Sequence, residues 1–470
     1  MLFNSFDFFF FLTIVFIFHW LIPAKFKWIL LLASSYFFYG QWNSIYLLLL
    51  IFTTILDFFL ALKLTSSNIE IKRKLGISLS LILNLGVLFL FKYYNFFQDS
   101  IKEFYGFFHL NYTYVKSTLL LPVGISFYTF QVLSYSIDVY RKTIEPEKNL
   151  GKFALFVSFF PQLVAGPIER AKDLLPQINK KVHQFKYENI KIGVLYILWG
   201  LFQKVAIADN IAILVDKVYE SPTSVDSGLL TYTCILFSFQ IYTDFAGYSN
   251  MAIGIAKLFD YHLILNFKTP YLSSSVTSFW KKWHISLSNW VKDYIYIPLG
   301  GSRVAIPKIY LNLIITFLIV GLWHGASINF IFWGFLNGFF LILERIFKVR
   351  NDSKYLVINW IRTLFVFLLI SLIWVPFRAH NLQDTFFIYK KILVDFNIFE
   401  LRYWVLENIS SLYILPLLTL ILIEILTFKT GLNSILKWRN MYKFLFYSIV
   451  LFLIILVGQT KGGAFIYFQF

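Results

Sequence analysis

The chain has 470 residues, of which 58% are hydrophobic and only 14% charged, and it carries a formal net charge of +17. A soluble domain of this size would hold close to twice that share of charge, so composition excludes a soluble enzyme and implies an all-α polytopic membrane protein. The basic excess is spread over short loops, a membrane-orientation pattern rather than a nucleic-acid signal, and the single cysteine, Cys234, excludes an intramolecular disulfide or multi-cysteine metal site.

Apolar blocks of roughly 17–25 residues, long enough for a helix to cross the hydrocarbon core, recur along the chain and predict about twelve crossings. They are centred in 6–22, 28–39, 43–62, 76–95, 119–140, 192–214, 229–256, 309–323, 327–346, 361–378, 411–428 and 441–459. The second block is short for a span, so the count is eleven, or some helices are re-entrant, as alternatives. No Lys or Arg precedes Phe6 to Leu21, which therefore lacks the basic region of a secretory signal and reads as a retained first helix with its N-terminus outside. That orientation puts Lys25 and Lys27 inside, then Lys63, Lys72, Arg73 and Lys74, and the long segments 141–191 and 257–308. The loop with Arg345, Lys348, Arg350 and Lys354 falls on the same side, as does the one with Lys429, Lys437 and Arg439. The opposite loop, 215–228, sets Asp216, Glu220 and Asp226 against one lysine. Segment 379–410 is mixed and carries no orientation signal.

Two inside segments are more than loops. In 141–191, Phe153 to Ala165 is apolar but too short to span, and it ends in Ala165-Gly166-Pro167-Ile168-Glu169-Arg170, a re-entrant or interfacial helix stopped by Gly-Pro. In 257–308, residues 280–295 are predicted to form one amphipathic helix lying at the interface. Trp280, Trp283, His284, Leu287, Trp290, Val291, Tyr294 and Ile295 share its apolar arc. Pro298-Leu299-Gly300-Gly301 ends the element. With no transporter-type repeat, heptad array or low-complexity linker, one membrane domain over 1–470 is the simplest organisation.

The sharpest chemical signal is Gly321-Leu322-Trp323-His324-Gly325-Ala326, which sets an imidazole between two apolar runs. Ionisable groups at membrane depth are costly and usually functional. A neutral His324 can take a proton from an alcohol as that alcohol attacks a carbonyl. Gly321 and Gly325 permit close backbone approach, and Trp323 can wall a pocket. Against this, a lone histidine in an apolar helix is more often a satisfied structural residue, and an interfacial His284 more often only hydrogen-bonds headgroups or backbone. His19, His109, His183, His262 and His380 sit near predicted ends or loops and take no role. The H-x-x-x-D spacing of His380 and Asp384 arises readily by chance. No G-x-S-x-G, P-loop, H-E-x-x-H or G-x-G-x-x-G occurs. Metal binding by two histidines would need further ligands, for which Asp244 and Asp293 are the nearest candidates, so no metal site is expected. Asp57, Asp138, Asp244 and Arg141 keep open a transporter or flippase that uses them as an ion or lipid path.

The chain resembles the bacterial branch of the membrane-bound O-acyltransferases (MBOAT), the group similar to alginate O-acetylation membrane components. The resemblance is carried by Met1-Leu2-Phe3-Asn4-Ser5, Leu121-Pro122-Val123-Gly124-Ile125-Ser126-Phe127-Tyr128 and Val164-Ala165-Gly166-Pro167-Ile168. Phe279-Trp280-Lys281-Lys282-Trp283-His284-Ile285-Ser286-Leu287-Ser288 and Asp293-Tyr294-Ile295-Tyr296-Ile297-Pro298-Leu299-Gly300-Gly301 follow. The Gly321–Ala326 motif and the terminal Phe465-Ile466-Tyr467-Phe468-Gln469-Phe470 complete it, in order over almost the whole length. It implies O-acyl transfer across a bacterial inner membrane, in a ring of about 11–12 transmembrane helices with re-entrant or interfacial helices and two funnels. In the family's terms His324 matches the catalytic histidine and His284 the second signature residue. Trp323, Trp283, Trp280, Asn289, Asp293 and Arg303 are the accompanying candidate pocket or substrate-binding residues. The implied donor is acetyl-CoA or another acyl thioester, used as substrate from the cytoplasmic side rather than held as a cofactor. The implied partner is an extracytoplasmic SGNH-like acetyltransferase or other acyl-accepting protein. Through it a polysaccharide such as peptidoglycan, alginate or another exopolysaccharide is acetylated. A sister branch moves D-alanine to teichoic acids, but the terminal signatures here look more like the acetyl branch. A scaffold that docks a partner without chemistry of its own is the third reading.

Overall fold

A computed structural model describes residues 1–66, 69–164, 166–349, 356–459 and 465. Ala165, Arg350, Lys354 and all of the terminal signature except Phe465 lie outside the described residues. Those described form helices and turns and no strand. Contacts divide the chain into two compact units, Met1–Asn189 with Ile255–Ile264, and Ile190–Gly254 with Leu265–Phe470.

The first unit begins with α1 (Phe6–Leu21), α2 (Lys27–Gly40) and α3 (Ser44–Ser66). Ser5 caps α1 by accepting the Phe8 N–H, one of the orphan donors of the first turn. α4 (Glu70–Leu88) runs through a π-helical turn, Phe89–Tyr93, into α5 (Tyr94–Phe107). α6 (Ile125–Tyr140) starts later than the 119–140 block, because Gly124 takes a left-handed φ of 76° and packs where a Cβ would collide with the Leu163 carbonyl. The apolar stretch from Phe153 is broken at Phe159 into α7 (Leu150–Ser158) and α8 (Phe160–Leu163), both short and largely buried, and α9 (Ala171–Ile178) follows. The buried Asp57 accepts hydrogen bonds from Ser80 Oγ at 2.6 Å and Asn84 Nδ2 at 2.9 Å. Such polar contacts tie helices together where apolar burial alone does not favour association.

The second unit holds α10 (Tyr187–Leu201) from Ile190 onward, a π stretch Phe202–Ala208, α11 (Asp209–Glu220), and α12 (Ser227–Leu258) as far as Gly254. Short α13 (Val276–Trp280) and α14 (Ile285–Val291) precede a π turn at Lys292–Tyr296. α15 (Ile306–His324) and α16 (Ile328–Ile346) form a hairpin. α17 (Leu356–Ile373), α18 (Val375–Arg378), α19 (Leu382–Leu393), α20 (Ile398–Glu407), α21 (Ile414–Thr427) and α22 (Asn440–Val457) complete the chain.

Each predicted block is largely helical. Among the described residues seven stretches are long and apolar enough to cross a membrane: Ser44–Leu64, Glu70–Phe107, Tyr187–Glu220, Ile306–His324, Ile328–Ile346, Val357–Arg378 and Asn440–Val457. α1 and α21 are apolar but shorter. The single amphipathic helix expected over 280–295 is not formed. His284 adopts left-handed φ 43° and ψ 54°, which no helix interior accommodates, so α13 stops at Trp280 and α14 starts after the turn. Of the expected apolar arc, Trp280, Trp283, His284, Leu287, Trp290 and Val291 are buried, whereas Tyr294 and Ile295 are only half-buried and Ser286, from the opposite arc, is buried.

Candidate active site

The hairpin of α15 and α16 depends on small residues at its crossing. A Cβ on Gly321 would collide with the Phe330 carbonyl, and one on Gly334 with that of Phe317. Only at such a separation does the last residue of α15 turn inward against α16. That residue is His324, only 2% exposed. Gly325 is extended and ends α15, and Ser327 Oγ then caps α16 through the Asn329 N–H. The imidazole is ringed edge-on by Trp323 at 4.9 Å, Trp333 at 5.0 Å and Phe377 at 5.3 Å between centroids.

His284 reaches the same place from a different element. The carboxylate of Glu344, on α16, accepts the Val276 N–H, the Thr277 N–H at 2.9 Å and the Thr277 hydroxyl at 2.8 Å. An anion on the exposed amides of a helix start is favourable, so this contact fixes the entry of α13. Trp283 is fully buried and packs on Phe279 at 5.4 Å and Trp374 at 5.0 Å. The left-handed turn that follows costs roughly 1–2 kcal/mol for a residue other than glycine, and it swings His284 into the interior at 0% exposure. Its ring meets Phe245 edge-on at 4.7 Å and Trp323 at 5.9 Å. The two imidazole centroids stand 6.4 Å apart. Burial pushes the His284 value down to about 3, so the ring is neutral at physiological pH.

Beside this pair lies a cleft of about 470 Å³. Trp280, Asn289, Leu287, Phe317 and Val320 wall it, and Lys281 and Lys292 stand among its lining residues. The Trp280 ring packs on Trp333 at 5.9 Å, one ring removed from His324, while its Nε1 donates to Asn337 Oδ1 at 3.2 Å. Of the candidate pocket residues, Trp323 therefore touches both histidines, and Trp280 and Asn289 line the cleft. Trp283 is a packing residue that holds the turn. Asp293 lies in the π turn 3.9 Å from Lys292 Nζ, and Arg303 is exposed in the turn before α15. Neither lines the cleft. Sequence reasoning missed Glu344, Trp333 and Phe377, none of which sits in a chemical motif. Among the described residues no three His, Cys, Asp or Glu side chains group closely enough to hold a metal ion.

The sequence model of MBOAT, the membrane-bound O-acyltransferase family, matches residues 38–376, which include both histidines and the cleft. The chain is 38% identical over 411 residues to a probable alginate O-acetylase of Pseudomonas aeruginosa, covering 86% of this chain and 77% of that one. It is 37% identical over 389 residues to a peptidoglycan O-acetyltransferase of Helicobacter pylori, covering 77% and 72%. A teichoic acid D-alanyltransferase of Bacillus subtilis matches at 24% over 247 residues, 50% of this chain and 62% of that one.

Proposed function

Because the chain belongs to the membrane-bound O-acyltransferase family, we propose that it moves an acetyl group from a cytoplasmic thioester across the inner membrane for O-acetylation of an extracytoplasmic polysaccharide. The carrying observation is the buried pair His324 and His284, 6.4 Å apart within the family match. Acetyl is favoured over D-alanyl because the O-acetylating relatives match at 37–38% over most of the chain, the D-alanyl relative at 24% over half of it. The acceptor reading, peptidoglycan, alginate or a similar glycan, rests on the names of those relatives.

In this reading His324 is the general base. A ring nitrogen takes the proton from the attacking hydroxyl as its oxygen bonds to the thioester carbonyl carbon. The C–S bond then breaks, and the leaving thiolate recovers that proton. His284 orients a reacting group beside His324. Acetyl-CoA or another acyl thioester fits the neighbouring cleft in kind, since its walls are apolar and Lys281 and Lys292 suit a phosphorylated donor. The basic-loop asymmetry supports an inside position for those lysines and an outside N-terminus. An extracytoplasmic acyl-accepting partner, SGNH-like in chemistry, completes the transfer to polymer.

The test is made in membranes, with and without that partner, by following thioester consumption and glycan ester content. General-base loss typically costs about 10²–10⁴-fold, so His324→Gln should abolish detectable acetylation at normal protein abundance, whereas His284→Gln should keep a residue of activity. The chain alone, in a host lacking the acetylation system, should leave glycan esters unchanged. Near wild-type acetylation by His324→Gln would overturn the assignment, and full polymer acetylation by this chain alone would overturn the relay.

A further inference from the structure

We infer that Asn266 is a positioning residue that locks His284 in the tautomer with its proton on Nδ1, leaving Nε2 as a hydrogen-bond acceptor in the transfer site. The inference rests on the histidine pair being that site, and adds which kind of group His284 can hold.

Asn266 is fully buried, and its amide is oriented without ambiguity. The Ser286 main-chain N–H points at one end of the amide at 3.3 Å. A main-chain N–H can only donate, so that end is the oxygen. The Ser286 hydroxyl donates to the same oxygen at 2.9 Å, and Asn266 Nδ2 donates to Ser249 Oγ on α12 at 3.1 Å. The Ile285 N–H donates to the Asn266 main-chain carbonyl at 2.9 Å, pinning this residue to the very turn that carries His284. The oxygen so fixed lies 3.1 Å from His284 Nδ1. An amide oxygen only accepts, so Nδ1 bears the hydrogen. In a neutral imidazole the other nitrogen is then the acceptor.

The consequence is a division of labour. Neutral His284 cannot donate to an acyl carbonyl and so does not polarise the thioester. It accepts at Nε2, and the groups it can orient carry O–H or N–H: the attacking hydroxyl, or an amide N–H on the arm of the thioester donor.

The tautomer is read directly from two-bond ¹H–¹⁵N correlations of the histidine rings in detergent-solubilised protein, with His284 assigned by its loss in His284→Gln. The wild type should show Nδ1 protonated and Nε2 bare. Asn266→Ala should populate the other tautomer and lower kcat about 10–100-fold, the usual cost of losing an orienting partner, with KM for the thioester changing less. Asn266→Asp still accepts from Nδ1–H, so it should keep the tautomer and restore activity at high pH. Its carboxylate favours the imidazolium, whose Nε2 no longer accepts, so the acid limb of kcat should move to higher pH. A wild-type ring protonated on Nε2, or a tautomer unchanged in Asn266→Ala, overturns the lock. A tautomer that changes as expected while transfer rates do not would leave the lock standing and overturn the part of His284 in transfer.

Discussion

Glu169, in the first unit, shows how a single buried carboxyl makes stability depend on pH. Its Oε1 accepts the Ile264 N–H at 2.6 Å, and burial pushes its value from 4.5 up to about 8. Between those values the folded chain holds a proton that the unfolded chain has released. Stability therefore falls as pH rises through that window, by about 1.4 kcal/mol per pH unit for one fully differing group. Glu169→Gln keeps an oxygen for the Ile264 N–H and removes the titration. Its melting temperature in detergent should match wild type near about pH 5 and exceed it near about pH 9. A difference that does not change with pH would show Glu169 ionised throughout. At His324 the residue scale also decides which variant is informative. Three aromatic rings surround its imidazole. Alanine would thus remove packing as well as the base, and Gln is the cleaner replacement. Both histidines were legible as isolated imidazoles in apolar surroundings. Asn266 was not, because an asparagine between Leu265 and Phe267 carries no signature until its partners at 249, 284 and 286 are brought to it.

Helices were legible wherever the bilayer sets their length, and less so where one side chain sets their ends. The break at His284 is the clearest case. The 3.6-residue pattern runs on through 280–295, yet Glu344 clamping the start of α13 and the buried Trp283 impose a left-handed turn. The π stretch Phe202–Ala208 is another element invisible to periodicity. It presents Lys204, 1% exposed, between Asp209 at 2.8 Å and Asp244 at 2.7 Å. Asp244 had kept a transporter reading open, as had Asp57. Each is engaged in a local network, and family membership makes the chain an acyltransferase. Breaking a buried ion pair by removing one partner costs about 3–5 kcal/mol, because the remaining charge stays uncompensated. Lys204→Met should lower the melting temperature markedly, and adding Asp244→Asn should recover part of the loss. If Lys204→Met melts like wild type, the carboxylates are solvated and the cluster is not structural.

For the whole molecule, the proposed orientation is open to cysteine labelling. Cys234 is buried and gives little background. Cysteine at the exposed positions Lys72 and Lys281 should resist a membrane-impermeant reagent in intact cells, while one at exposed Glu220 should react. Ready labelling at 72 or 281 would reverse the orientation and, with it, the donor side. Segment 379–410, which had no charge signal, is assigned by its contacts. Arg378 pairs with Asp216 at 2.7 Å, Trp404 Nε1 donates to Asp226 at 2.9 Å, and Glu400 accepts the Ser227 hydroxyl at 2.7 Å. Residues 379–410 therefore belong to the same face as loop 215–228, and a cysteine at exposed Phe399 should label as Glu220→Cys does.

Composition and block length by themselves determined a helical membrane protein and its spanning candidates, and the ordered motifs pointed to its acyltransferase class through their resemblance to a known family. These are local properties, written in runs of residues that answer to a single solvent, the bilayer. Only the tertiary structure decided that residues forty apart in sequence stand 6.4 Å from each other, and which amide orients one of them. It also decided which pocket candidates share a cleft, leaving out Asp293 and Arg303. Those outcomes follow from directional contacts between distant segments, such as Glu344 on the start of α13 and Asn266 on the His284 turn. Hydropathy and helical period are blind to such contacts, because they depend on where the chain returns rather than on what its neighbours in sequence are.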